Sequence, residues 1–273
     1  MKAIADTLQV ARSNLQITKS PPVNKYSKQD DTWILPMIRE IIANKGSYGY
    51  RRVTARLCVL LENQGKPRVN AKRICRIMRD ANLLLQKHTG KQTRTHEGTI
   101  ITLKSNVRWC SDAFEVRCWS GEKVQVAFSL DCCDREVMSF VATTGGISGE
   151  MIRDLMLETT EKRFGAGVRE LPHPLQWLSD NGPPYASDET RKFGRSLGMI
   201  VCNTPSYSPE SNGMAEAFVK TFKRDYVYLN NLYDAKSVLE QLPGWFEDYN
   251  ERAPHKGLKM KSPREFMRST QSL

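Results

Sequence analysis

A chain of 273 residues is long for one compact core, and its 41 Lys and Arg against 30 Asp and Glu (net +11) suit a polyanionic partner. No apolar run approaches the roughly 18 residues of a membrane span, and no charged-then-apolar segment opens the chain as a secretory leader. Seven cysteines with no C-x-x-C pair read as reduced core thiols, and four scattered histidines give no zinc-ligand spacing, so the expected setting is the cytosol.

The first 30 residues begin with Ile4 to Leu15, which fits the tail of a helix-turn-helix with Arg12, Ser13 and Asn14 on its second helix. Ser20-Pro21-Pro22 then breaks the chain into a linker. Residues 31–86 read as three short helices. Ile34, Met37, Ile38, Ile41 and Ile42 mark the first, with Gly46 as its stop. Val53, Leu57, Leu60 and Leu61 mark the second, and Ile74, Ile77, Met78 and Ala81 the third, entered through Asn70. The third helix also shows Lys72, Arg73, Arg76 and Arg79 away from its apolar stripe. Between Lys66 and Arg94 stand nine basic residues against one acidic residue, Asp80, so this module is expected to dock on DNA by phosphate contacts. A helical bundle with merely solvated charges is the bland alternative.

Residues 87–104, poor in apolar side chains, form a basic linker. Strands are expected over 107–118, 124–130 and 137–144, the last two joined by the short Asp131 to Glu136 connection. A helix over 149–164, the strand ending at Asp180, a helix over 187–197 and a strand over 199–202 follow. The next helix carries Ala215, Phe218, Val219, Phe222 and Tyr226 on one stripe and Glu216, Lys220 and Lys223 about 100° round from it. Three antiparallel strands and then alternating helix and strand make residues 105–250 a mixed α/β domain. A helix over 233–249, interrupted at Pro243-Gly244, completes it, and residues 251–273 form a basic C-terminal segment that either tracks a DNA backbone or is solvated.

Three acids stand out by position. Asp112 lies in the first strand, Asp180 ends a later strand ahead of Asn181-Gly182, and Glu216 opens a helix, with 35 residues between the last two. Singly each has a plain explanation: a polar strand residue, a turn, a carboxylate complementing a helix dipole. Phosphodiester cleavage and transfer need an activated attacking oxygen and a stabilised leaving one, which two metal ions about 4 Å apart supply. Hard oxygen ligands suit Mg²⁺, with Mn²⁺ as a substitute. Asp131 and Asp134 are accounted for by turn chemistry, and strand alternation turns Glu115 to the face opposite Asp112.

This set resembles the D-D-35-E signature of polynucleotidyl transferases. The supporting stretches are Tyr48-Gly49-Tyr50-Arg51-Arg52-Val53, Arg108 to Asp112, Leu130 to Glu136, Ser208 to Lys223, and Tyr249-Asn250. Together they are similar to bacterial insertion-sequence transposases with a retroviral-integrase-like core, specifically the OrfB-type subunit of the insertion-sequence-three family and its insertion-sequence-two relatives. The resemblance implies a ribonuclease-H-like fold. It further implies DNA strand cleavage and 3′-hydroxyl strand transfer at element ends, with Asp112, Asp180 and Glu216 as catalytic metal ligands. Asp112 would bridge two Mg²⁺ ions while Asp180 and Glu216 each hold one. Lys220 and Lys223 would contact DNA near the ends being joined. The implied partners are terminal inverted repeats, target DNA, a homo-multimer bridging two ends, and an upstream-reading-frame partner or frameshift fusion, in a nucleoid-associated bacterial setting. A catalytically silent DNA-binding regulator and a non-integrating nuclease of the same fold are the rival functions.

Overall fold

The computed structural model describes residues 2–9, 31–86, 102–168, 170–203 and 212–271. The expected second helix at Ala11 to Leu15, the basic linker up to residue 101 and the Ser208–Ser211 loop fall outside them. Helix α1 spans Lys2–Thr7. Helices α2 (Ile34–Asn44), α3 (Tyr50–Asn63) and α4 (Ala71–Asp80) form the N-terminal module. Their expected stripes meet in one core that includes Ile34, Ile38, Val53, Leu57, Leu61, Ile74 and Met78. Asn70 caps α4 by accepting from the Lys72 N–H, the role its side-chain oxygen suits.

The second domain is built on strands β1 (Arg108–Arg117), β2 (Lys123–Asp131), β3 (Val137–Thr143), β4 (Leu175–Ser179) and β5 (Met199–Asn203), in spatial order β3-β2-β1-β4-β5. The β1–β2–β3 meander is antiparallel, whereas β4 and β5 join β1 in parallel, connected by helices. Helix α5 (Gly149–Phe164) packs on one face of the sheet, with Trp109, Trp177, Ile152, Leu155 and Met156 in the core between. A short helix that was not expected, α6 (Pro183–Ala186), precedes α7 (Asp188–Ser196), which is the expected helix over 187–197, capped by the Ser187 hydroxyl. Helices α8 (Gly213–Asp225) and α9 (Ala235–Arg252) cover the opposite face, burying Cys110, Phe114, Phe128, Phe218, Phe222 and Phe246.

Two expectations change. Pro243 does not interrupt its helix: α9 is continuous, because buried Val238, Leu242, Trp245, Phe246 and Tyr249 hold it against the sheet on both sides of the proline. That packing offsets the roughly 3 kcal/mol a mid-helix proline costs. The basic C-terminal segment is docked, since helix α10 (Pro263–Gln271) places Arg264 within 2.9 Å of Glu136, 2.6 Å of Glu247 and 3.0 Å of Glu251.

The helical module is fastened to the far end of α8. Asp225, with a fully buried side chain, accepts from Ser47 Oγ at 2.6 Å and pairs with Arg52 and Arg224, each at 2.7 Å. Lys45 reaches Asp248 at 2.9 Å and lies 3.5 Å above the Tyr226 ring. Among the described residues no helix is long and apolar enough to cross a membrane.

Candidate active site

The first two acids follow from neighbouring strands. Trp109 pairs with Trp177 and Cys110 with Leu178, where the parallel ladder ends; Asp112 lies two residues further along β1, and Asp180 two residues past Leu178, just beyond the end of β4. Adjacent strands lie about 4.8 Å apart, and registered residues of parallel neighbours share a face. That face is fixed by alternation: Cys110 and Phe114 pack under α8 and α9, while Trp109 packs on the other side. Asp112, between Cys110 and Phe114 on β1, therefore points towards α8.

Glu216 enters from α8, in the first turn of the helix. Ala215, Phe218 and Phe222 press that helix onto β1 and β2, which leaves Glu216 at the rim of the contact, half-buried. Electrostatics report the convergence. The Asp112 carboxyl is pushed up to about 6, first by burial and then by the negative charges of Asp180 and Glu216, against the pull of the Ala113 N–H that it accepts.

The Asp180 turn is held on both sides. Its Oδ1 accepts from the Gly182 N–H at 3.0 Å, and its carbonyl accepts from Asn203 Nδ2, at the end of β5, at 2.9 Å. Glu216 lies 3.7 Å from Lys220, one turn on. Among the described residues no three His, Cys, Asp or Glu side chains stand at the spacing of a formed metal cage. Glu216 has Lys220 as a counter-charge, and the negative charges of Asp180 and Glu216 add to the burial that raises Asp112. Carboxylate oxygens are hard donors of the kind that suit a divalent cation, and a bound cation would offset that repulsion.

The remaining expected site residues separate into two groups. Lys223, half-buried, places Nζ 5.7 Å from the centroid of the Phe114 ring, on the acids' side of β1, and Lys220 is exposed beside Glu216. On the helical module Lys72 and Arg79 are exposed, but Arg73 and Arg76 converge on Asp31, Arg73 at 2.7 Å, and sit half-buried. Sequence spacing grouped all four; the long-range partner Asp31 gave no periodic signal.

The neighbouring acids have other work. Asp131 accepts from the Asn106, Cys133 and Asp134 N–H groups, Asp134 pairs with Arg163 at 3.0 Å, and Glu115 pairs with Arg117 at 2.7 Å. Asn212, Ser111 and Tyr185, which the sequence did not single out as site residues, prove to touch the elements that carry the acids.

Comparisons with known proteins agree with this architecture. A family model described as an integrase core domain matches residues 103–209, a second of the same description matches residues 197–263, and one described as an HTH-like domain matches residues 28–91. Among curated relatives, the transposase InsD for insertion element IS2A/D/F/H/I/K of Escherichia coli is 47% identical over 242 residues, covering 88% of this chain and 79% of the relative. Among solved structures, a chain of the simian T-cell lymphotropic virus intasome in complex with PP2A regulatory subunit B56 gamma aligns at a TM-score of 0.50 with 18% identity. That alignment covers 77% of this chain and 69% of the viral one, and it bears on the fold alone.

Proposed function

This chain belongs to the transposases of bacterial insertion elements that carry an integrase core and an HTH-like domain, a polynucleotidyl-transferase family acting in DNA transposition, and from that membership we propose that Asp112, Asp180 and Glu216 are its catalytic centre. The observation that supports the assignment is the action of the Asp180 and Glu216 charges on the Asp112 carboxyl, with β1 and β4, the strands leading to the two aspartates, paired in parallel.

Integrase-type cores use divalent metals. Here Asp112, Asp180 and Glu216 would hold two Mg²⁺ ions, for which Mn²⁺ would substitute. The ions, when bound, supply Lewis-acid activation of the attacking oxygen and charge stabilisation at the leaving one. The protein's own part would be to present three carboxylates to the ions, Asp112 from β1, Asp180 from the turn after β4 and Glu216 from the first turn of a packed helix. Lys223, beside Phe114, and Lys220 lie where the backbone of a DNA end would run past Glu216. Lys72 and Arg79 on α4 are the exposed cations with which the helical module would grip phosphates, while Arg73 and Arg76 shape that module through Asp31.

The reaction is water-dependent cleavage at an element end followed by attack of the freed 3′-hydroxyl on another phosphodiester. It would take place in a multimer bridging two ends at the bacterial nucleoid, alone or with an upstream-frame product. A joining assay with Mg²⁺ and terminal-repeat oligonucleotides tests this. Joined product supports transposition by this chain, cleavage without joining indicates a nuclease, and binding without either indicates a regulator.

A further inference from the structure

The three acids sit on three separate elements, β1, the turn after β4, and α8, and a small polar relay ties those elements to one residue. That residue is Ser111, fully buried and immediately ahead of Asp112. Its carbonyl accepts from Asn212 Nδ2 at 3.2 Å, and its hydroxyl lies 3.0 Å from the Tyr185 hydroxyl. Tyr185 belongs to α6, whose first turn is anchored on the Gly182 carbonyl at 2.9 Å, next to the Asp180 turn. Asn212 is the residue that opens α8, four positions before Glu216, so its side chain and that carboxylate lie on the same side of the helix.

Two details separate this from ordinary helix capping. An Asn at this position normally accepts from the N–H groups of the first turn. Asn212 makes no such bond; its buried amide is given to β1 instead. The acceptor it takes is also special. Val107 offers its carbonyl to Gln176 of β4, and alternate carbonyls along β1 face the same neighbour, so that of Ser111 also faces β4. The β1–β4 ladder stops at Cys110–Leu178, and the acceptor freed where β4 turns away at Asp180 is filled by Asn212.

We propose that Asn212 and Tyr185 are positioning residues that, through Ser111, set the spacing of Glu216 and Asp180 from Asp112 and thereby the affinity of the site for divalent cations. Neither touches the reacting atoms. The inference rests on the metal-site reading above.

The test uses the full chain, with Mn²⁺ binding followed by calorimetry or electron paramagnetic resonance, alongside thermal unfolding, affinity for an element-end duplex, and joining. Asn212→Ser keeps a good cap and is too short to reach Ser111. Tyr185→Phe keeps the buried ring and loses only the hydroxyl. Both are expected to retain the unfolding midpoint and DNA affinity, to raise the Mn²⁺ dissociation constant about tenfold, and to regain joining at high Mn²⁺. Should Asn212→Ser lower the unfolding midpoint, Tyr185→Phe decides on the same readouts. Folded variants that bind Mn²⁺ as the wild type does, while Asp112→Asn does not, overturn the positioning role alone. Wild-type chain that binds no Mn²⁺, together with Asp112→Asn that joins DNA normally, overturns the metal site beneath it.

Discussion

Replacing Asp112 by Asn should make the metal-free protein more stable while removing its activity. The carboxyl is raised from the ordinary 3.8 to about 6 by burial and by its two acidic neighbours, so near neutral pH the fold keeps an ionised group where ionisation is disfavoured. A shift of about two units corresponds to roughly 3 kcal/mol, and the half-buried position reduces it through solvent screening to about 2 kcal/mol. Asn has the same shape, keeps an oxygen for the Ala113 N–H, and carries no charge. The sign follows from proton linkage. A carboxyl raised in the fold binds its proton there to a higher pH than in the unfolded chain. Its contribution to stability is present below about pH 4 and is lost as the pH rises through about 6. In EDTA at pH 7.5, Asp112→Asn should therefore unfold about 5 °C above the wild type, at about 2–4 °C per kcal/mol for a domain of this size, and the gap should close near pH 4. Adding Mg²⁺ should raise the wild type but not the variant. A variant no more stable than the wild type at pH 7.5, or a gap indifferent to pH, would refute the raised carboxyl of Asp112 and the reasoning from it.

Other outcomes follow from particular contacts. Asp225→Asn should destabilise the chain by about 3 kcal/mol near neutral pH, because it strips the buried charge from between Arg52 and Arg224; chemical denaturation of both proteins measures it. The Asp225 carboxyl is held down to about 2 by those guanidinium groups and Ser47 against the opposing effect of burial, so this stabilisation is present above about pH 4 and disappears as the pH falls through about 2. Asn250→Ala should lower stability by about 2 kcal/mol in the same assay, since its amide satisfies both the N–H and the carbonyl of Val137 at 2.9 and 2.8 Å and so joins α9 to β3. Lys223→Ala should weaken binding of element-end and unrelated duplexes about equally and reduce the salt dependence of binding by about one released counter-ion; an unchanged salt slope would remove Lys223 from the DNA path.

Features legible in the sequence were those with a local period or a fixed order. Strand alternation told that Glu115 faces away from Asp112, and the stripe Ala215, Phe218, Phe222 told which side of α8 is buried and so where Glu216 emerges. Both signals come from packing against a single face, which sequence spacing records directly. What the sequence hid depends on partners far along the chain. Asp31 gathers Arg73 and Arg76 from 42 and 45 residues along the chain, Asp225 receives Ser47 and Arg52 from the other module, and Arg264 finds Glu136. No periodicity announces such pairs, so spacing gave no sign of Asp31 beside the two arginines or of the docking of the C-terminal segment. Pro243 misled for the related reason that tertiary packing overrode a strong local preference.

The most direct test is the rate of joining terminal-repeat DNA in Mg²⁺ by wild-type chain, Asp112→Asn, Asp180→Asn and Glu216→Gln, each at a concentration giving equal occupancy of the DNA. Each substitution is expected to reduce joining by at least about 100-fold, or about 2.7 kcal/mol of transition-state stabilisation, with DNA affinity retained. Near-wild-type joining by both Asp180→Asn and Glu216→Gln would contradict a shared catalytic centre.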